Sequence, residues 1–108
     1  MFSTMAVDAQ ITLLKALSND TRLNILAWLK DPKRNFDRQD VGDFDTDGVC
    51  VSLIQKRCGL SQSTVSSYLA SLTRAGLVTA KRVGQWTYYR RDEAAIRRFL
   101  NELAATLK

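Results

Sequence analysis

A helical pattern that breaks at Cys58-Gly59-Leu60, resumes at once, and gives way to strand pattern after Ala75-Gly76 constrains this chain more than any other feature. Before the break, Val49 to Arg57 reads as a short helix, and Gly59, free to take the left-handed conformation, ends it. After it, Ser61 is an N-cap for a helix whose Val65, Leu69 and Leu72 recur at i, i+4 and i+7, within about 60° of one another at about 100° per residue. That row is the expected buried stripe. On the opposite side of the wheel stand Ser63, Ser67, Ala70 and Arg74, flanked by Ser66 and Ser71. A merely solvated helix face usually mixes Glu with Lys. This one is small, polar and free of acid, which lets a nucleic acid approach its backbone closely.

Val78–Val83 and Trp86–Arg90 are rich in β-branched and aromatic residues, and Gly84-Gln85 between them suits a type II′ hairpin turn. Tyr88 and Tyr89 can stack on bases or pack across strands and against the core; packing is the expectation for at least one. Trp86, beside the turn, has the same two readings. Two helices joined by a glycine turn and followed by a basic hairpin form a winged helix-turn-helix. The expected fold class is therefore mainly α with a β-hairpin wing, about five helices and two antiparallel strands.

The remaining elements frame that unit. Ile11, Leu14 and Leu17 predict a first helix over Val7–Leu17. Ser18-Asn19-Asp20 caps a second, carrying Leu23, Leu26, Trp28 and Leu29 and stopping before Pro32. Residues 31–48 lack periodicity and read as a long acidic loop, with Asp47 a candidate cap for the third helix. Asp92 caps the last helix, whose Ile96, Phe99, Leu100, Leu103 and Leu107 form a stripe longer than so small a core requires. The same helix of a second copy is its simplest cover. At 108 residues the chain is expected to be one domain, residues 1–108, with terminal dimerisation helices.

Charge placement points the same way. From Gly48 to Arg91 there are seven basic residues (Lys56, Arg57, Arg74, Lys81, Arg82, Arg90, Arg91) and no Asp or Glu, within a chain of net charge +5. A stretch of one sign is what a polyanion-binding surface needs. The chain has no histidine, which removes the commonest general base and the Ser-His and Cys-His nucleophile pairs, so no enzyme and no cofactor are expected. No apolar run approaches the roughly 18 residues of a membrane span, and Met1 to Asp8 has neither a basic stretch nor an apolar core of a signal peptide. A cytoplasmic protein is expected, and the two cysteines, Cys50 and Cys58, fit a reducing compartment.

The run Gly59-Leu60-Ser61-Gln62-Ser63-Thr64-Val65-Ser66, then Leu69, Leu72, Ala75-Gly76-Leu77-Val78 and Gly84-Gln85-Trp86-Thr87-Tyr88-Tyr89, resembles the ArsR/SmtB family of bacterial repressors. Leu14 to Leu23 resembles it too. The resemblance implies a homodimer built through the first and last helices, binding double-stranded DNA at an imperfect palindrome and leaving it when an effector arrives. Carried over by position, Gln62, Ser63, Thr64, Ser66, Ser67 and Tyr68 would meet the groove, and Lys81, Arg82 and Gln85 would serve the wing. Arg74, Lys56 and Arg57 suit phosphates better than bases. Members often have Arg-His where this chain has Ser67-Tyr68, so its reading face is less charged.

Many members bind soft ions through a Cys-x-Cys pair at the start of the third helix. Here the segment reads Cys50-Val51-Ser52, so the second thiol is a hydroxyl, and a metal site on the last helix would need the absent histidine. No metal is expected. Cys58 is expected in the core. Cys50 has two readings, a small buried side chain or a thiol acidified at a helix N-terminus that senses oxidants or metalloids. The aspartates at 37, 40, 43, 45 and 47 match no complete ligand set for a hard cation.

Two rival functions stand beside the repressor. A protein-interaction module with an incidental basic face is disfavoured by the acid-free stretch. A non-specific architectural DNA binder would hold every duplex equally.

Overall fold

The computed structural model describes residues 5–108; Met1 to Thr4, part of the N-terminal segment read for a signal peptide, lie outside it. Along the chain run α1 (Val7–Leu17), α2 (Asp20–Lys30), α3 (Pro32–Asn35), β1 (Val49–Cys50), α4 (Val51–Cys58), α5 (Gln62–Arg74), β2 (Val78–Val83), β3 (Trp86–Arg91) and α6 (Glu93–Leu107). The caps fall where the polar residues stand. Asn19 accepts from the Arg22 amide at 3.0 Å and Asp92 from the Ala95 amide at 3.0 Å, each satisfying an otherwise orphaned helical N–H.

The core gathers one face from each element. Ile25 and Leu29 of α2, Ile54 of α4, and Val65, Leu69 and Leu72 of α5 meet Val49, Leu77, Val78 and Phe99. The predicted stripe of α5 is thus its buried face, and removing such side chains from water is what holds α5 in place.

The sheet is antiparallel in the order β1-β3-β2. Val83 pairs with Trp86 across Gly84-Gln85, and Gly84 has φ +63° while no non-glycine among the described residues has positive φ, as a type II′ turn requires. The hairpin is therefore as expected, but it has a third strand. Val49 and Cys50 pair with Tyr89 and Tyr88, so the third helix starts at Val51 instead of Val49. Its residues suit either state, and strand pairing with β3 decides between them.

The acidic segment is more ordered than a plain loop. Pro32, whose missing N–H costs nothing at a helix start, opens the four-residue α3, and the Asn35 amide group donates to the carbonyls of Asp31 (2.9 Å) and Trp28 (3.2 Å). Asp47 does not cap the third helix. Cys50 stands at that N-cap without a side-chain cap bond, while Asp47 accepts from the Asp43 amide at 2.9 Å and faces Lys81.

Register sorts the hairpin into two faces. Val78 and Tyr89 turn to the main core, where Tyr89 is half-buried, and Ala80, paired with Tyr89, shares their side of the sheet but is exposed. Thr79, Lys81, Tyr88 and Arg90 share the other face, and the acidic segment covers it. Tyr88 is 1% exposed, its hydroxyl donating to the Val41 carbonyl at 3.2 Å. Gln39 spans the seam, giving its amide N–H to Gly48 O (3.0 Å) and accepting the Cys50 N–H (2.8 Å). The two tyrosines thus pack in different layers.

Candidate nucleic-acid interface

The leading end of α5 is built by hydroxyls. Ser61 Oγ accepts from the Thr64 amide at 3.3 Å, donates to Thr64 Oγ1 at 2.9 Å and lies 3.3 Å from Ser63 Oγ. From this capped turn Gln62, Ser63, Ser66, Ser67, Ala70 and Arg74 project as exposed side chains, while Thr64 is half-buried. Among the described residues none of Gln62, Ser66, Ser67 and Arg74 is engaged by another side chain or a carboxylate. Helix geometry places them along one outward strip.

Tyr68 departs from that group. Its ring is half-buried against the core, with the Arg22 guanidinium 5.4 Å from its centroid. Arg22 itself is fixed by donating to the carbonyls of Ala16 (2.7 Å) and Lys15 (3.2 Å). Tyr68 therefore ties α5 to the end of α1.

In the wing, Lys81, Arg82 and Gln85 are all exposed, and Arg82 Nε donates to the Gly84 carbonyl at 3.2 Å, holding the guanidinium beside the turn. Trp86 is 44% exposed next to it.

The seven basic residues of the acid-free stretch do not share one environment. Arg57 lies 4.4 Å over the Trp28 ring and donates to the Asn35 carbonyl at 3.2 Å. Arg91 donates to the Leu26 carbonyl and to Glu93, both at 3.1 Å. Arg90 donates to the carbonyls of Asp45 (2.5 Å) and Thr46 (3.2 Å). Lys56 Nζ is 2.7 Å from Asp37, and Lys81 Nζ is 2.5 Å from Asp47. The hydrogen bond and charge of Lys56 hold the Asp37 carboxyl below its ordinary range. The Lys81 hydrogen bond, then the Asp43 amide, does the same for Asp47. Arg74 and Arg82 alone of the seven have no carboxylate, aromatic or distant carbonyl partner among the described residues. The sequence reading missed these pairings, whose one signal was six aspartates lying immediately before the basic stretch.

Cys50 is 8% exposed with Sγ 3.3 Å from Ser52 Oγ, and so is packed as well as standing at a helix start. Cys58 is half-buried, and burial pushes its thiol up against the opposing pull of Arg57. Among the described residues no three His, Cys, Asp or Glu side chains gather as a metal site, and no helix is long and apolar enough to cross a membrane.

A capped helix with an acid-free outer strip, seated on a second helix and flanked by a hairpin, defines the class: a winged helix-turn-helix transcription regulator. The family model of the IclR helix-turn-helix domain matches residues 46–82, the segment from β1 into β2. YbzH of Bacillus subtilis, described as an uncharacterized HTH-type transcriptional regulator, is 54% identical over 86 residues, covering 80% of this chain and 86% of that protein. ArsR2 of Halobacterium salinarum, a putative arsenical resistance operon repressor, is 40% identical over 89 residues, covering 82% of this chain but 62% of its own length. Among solved structures, the homodimeric winged helix-turn-helix domain of a possible ArsR-family regulator from Mycobacterium bovis superposes with TM-score 0.62 at 28% identity, over 93% of this chain and 81% of that one. This chain belongs to the ArsR/SmtB family of helix-turn-helix transcription regulators.

Proposed function

We propose that the protein is a cytoplasmic, sequence-specific repressor that binds a palindromic operator as a homodimer, reading bases with the exposed strip of α5 and gripping phosphates with Arg74 and with Arg82 of the wing. The observation that carries the reading is that strip: Gln62, Ser66 and Ser67 stand exposed, uncharged and without a side-chain partner among the described residues, beside Ser63 and ahead of Arg74, on a helix whose other face is committed to the core. A protein-interaction surface would more usually present an apolar centre, which this strip lacks.

The dimer follows from what α6 leaves uncovered. Phe99 is its one buried residue in a helix of 15, while Leu100 and Leu107 are 56% and 75% exposed. On α1, Val7 and Ile11 are also exposed, and the two helices already touch within one chain through Gln10, which is bonded to Thr106 at 2.9 Å. A second α1–α6 pair is the apolar surface that fits this edge, and the Mycobacterium bovis neighbour is described as homodimeric. Two such subunits set their recognition helices about one DNA turn apart, on half-sites some 10 base pairs apart.

Substitutions separate the two kinds of contact. Arg74→Ala is expected to weaken binding to every duplex and to flatten the slope of log K against log[salt] by about 0.9, the share of one phosphate. Gln62→Ala is expected instead to change base preference, by about 1–3 kcal/mol at one position, with little change in slope. The reverse pattern, measured by fluorescence anisotropy across a salt series, would mean that α5 does not face the groove.

A further inference from the structure

We propose that the acidic segment between α3 and β1 is a built-in competitor for DNA phosphate, which holds Lys56 and Lys81 out of the interface through Asp37 and Asp47. The proposal rests on the DNA-binding reading above and adds to it a restraint on affinity carried by the chain itself.

Both lysines are exposed, with side chains 73% and 55% accessible, and among the described residues the carboxylate is the one side-chain partner of each. The two aspartates differ. Asp37 is 66% exposed, whereas Asp47 is 19% exposed and braced from behind by the Asp43 amide. Asp47 is therefore a fixed acceptor and Lys81 the mobile partner. The segment is also pinned to the wing independently of these charges. Tyr88 bonds Val41, Gln39 clasps Gly48 and Cys50, and Arg90 takes the carbonyls of Asp45 and Thr46. A carboxylate held in this way presents to a lysine what a phosphate would present, at much higher effective concentration.

Surface ion pairs add little stability, about 0–1 kcal/mol, so the pairs are poorly explained as structural supports. Their consequence for a polyanion is larger. Each lysine that stays paired contributes no counterion release, and each aspartate adds repulsion where the duplex approaches.

The test uses the full chain and a fluorescein-labelled 30-base-pair duplex of mixed sequence, titrated by anisotropy from 50 to 400 mM NaCl. Asp37→Asn with Asp47→Asn is expected to steepen the salt slope by up to about 1.8 and to raise affinity at 50 mM roughly tenfold or more, at about 0.9 per freed lysine. Asp40→Asn removes the same charge from the same segment at an exposed residue that pairs with no lysine, and is expected to leave the slope unchanged. Lys81→Ala should cost little in the native chain but about one unit of slope in the Asp47→Asn chain. Melting temperatures within a few degrees of the native chain's, for each variant, keep the comparison to folded protein. An unchanged slope in the double variant, or an equal change in Asp40→Asn, would overturn the competitor. Failure of the native chain to bind the duplex even at 50 mM would instead overturn the DNA-binding reading.

Discussion

Replacing Leu69 by alanine is expected to cost about 3 kcal/mol of stability, lower the melting temperature by more than about 10 °C and weaken DNA binding at 37 °C. Leu69 is fully buried at the centre of the α5 stripe, between Val65 and Leu72 and against the main core. Its truncation removes apolar area and leaves a cavity that close-packed neighbours fill only in part. Since the stability of a small domain is about 5–15 kcal/mol, this single loss takes a large fraction of it. Ser67→Ala, two residues away on the exposed strip, should stay within about 0.5 kcal/mol of the native chain. Urea unfolding followed by circular dichroism measures both. Comparable losses in the two variants would show that the buried and exposed faces of α5 are wrongly assigned.

Gly48→Ala is expected to destabilise by about 3 kcal/mol and to loosen the acidic segment from the wing. Gly48 has φ +102°, a conformation costing an L-residue about 1–2 kcal/mol, and a Cβ there would overlap the Tyr89 carbonyl oxygen in the strand beside it. Backbone cannot step aside as a side-chain tip can. Gly84, at φ +63°, has open space where its Cβ would be, so Gly84→Ala should cost only the conformational part, about 1 kcal/mol. Hydrogen exchange at Cys50 N–H, which Gln39 protects, should rise in the Gly48 variant and not in the Gly84 variant. Equal stability losses would mean that the close approach to Tyr89 does not constrain the segment.

How much of this was legible beforehand depends on the range of the interaction. The α5 stripe, the Asn19 and Asp92 caps and the Gly84 turn rest on residues within a few positions of one another, and local periodicity and cap chemistry determine them. The third strand was not legible. Two residues carry no period, and Val49 and Cys50 become a strand only because Tyr89 and Tyr88, far along the chain, supply the pairing. The acidic segment failed to read for the same reason. Its Asp47 stands where a cap was expected, but its partner is Lys81, 34 residues on, and no local rule foresees that. In the candidate site, the outward face of α5 was correct for its small residues and Arg74. Tyr68, carried over by position as a groove residue, is half-buried, and its packing against Arg22 depends on the turn between α1 and α2, which no local pattern shows.

Two consequences join these observations. The basic stretch is less available than its sequence suggests, since most of its cations are engaged within the chain. Selectivity should then depend more on the neutral strip of α5 than on charge, because weak phosphate contact lowers binding to all sequences alike.

The central claim, that the exposed strip of α5 reads DNA sequence, is tested most directly by incubating the protein with sheared bacterial genomic DNA at 150 mM NaCl, with excess non-specific duplex, and sequencing what it retains. The account predicts enrichment of a few fragments sharing an imperfect palindrome whose half-sites lie about 10 base pairs apart, and loss of that enrichment in Gln62→Ala. Retention of all fragments in proportion to their abundance, or the same enrichment after that substitution, would contradict it.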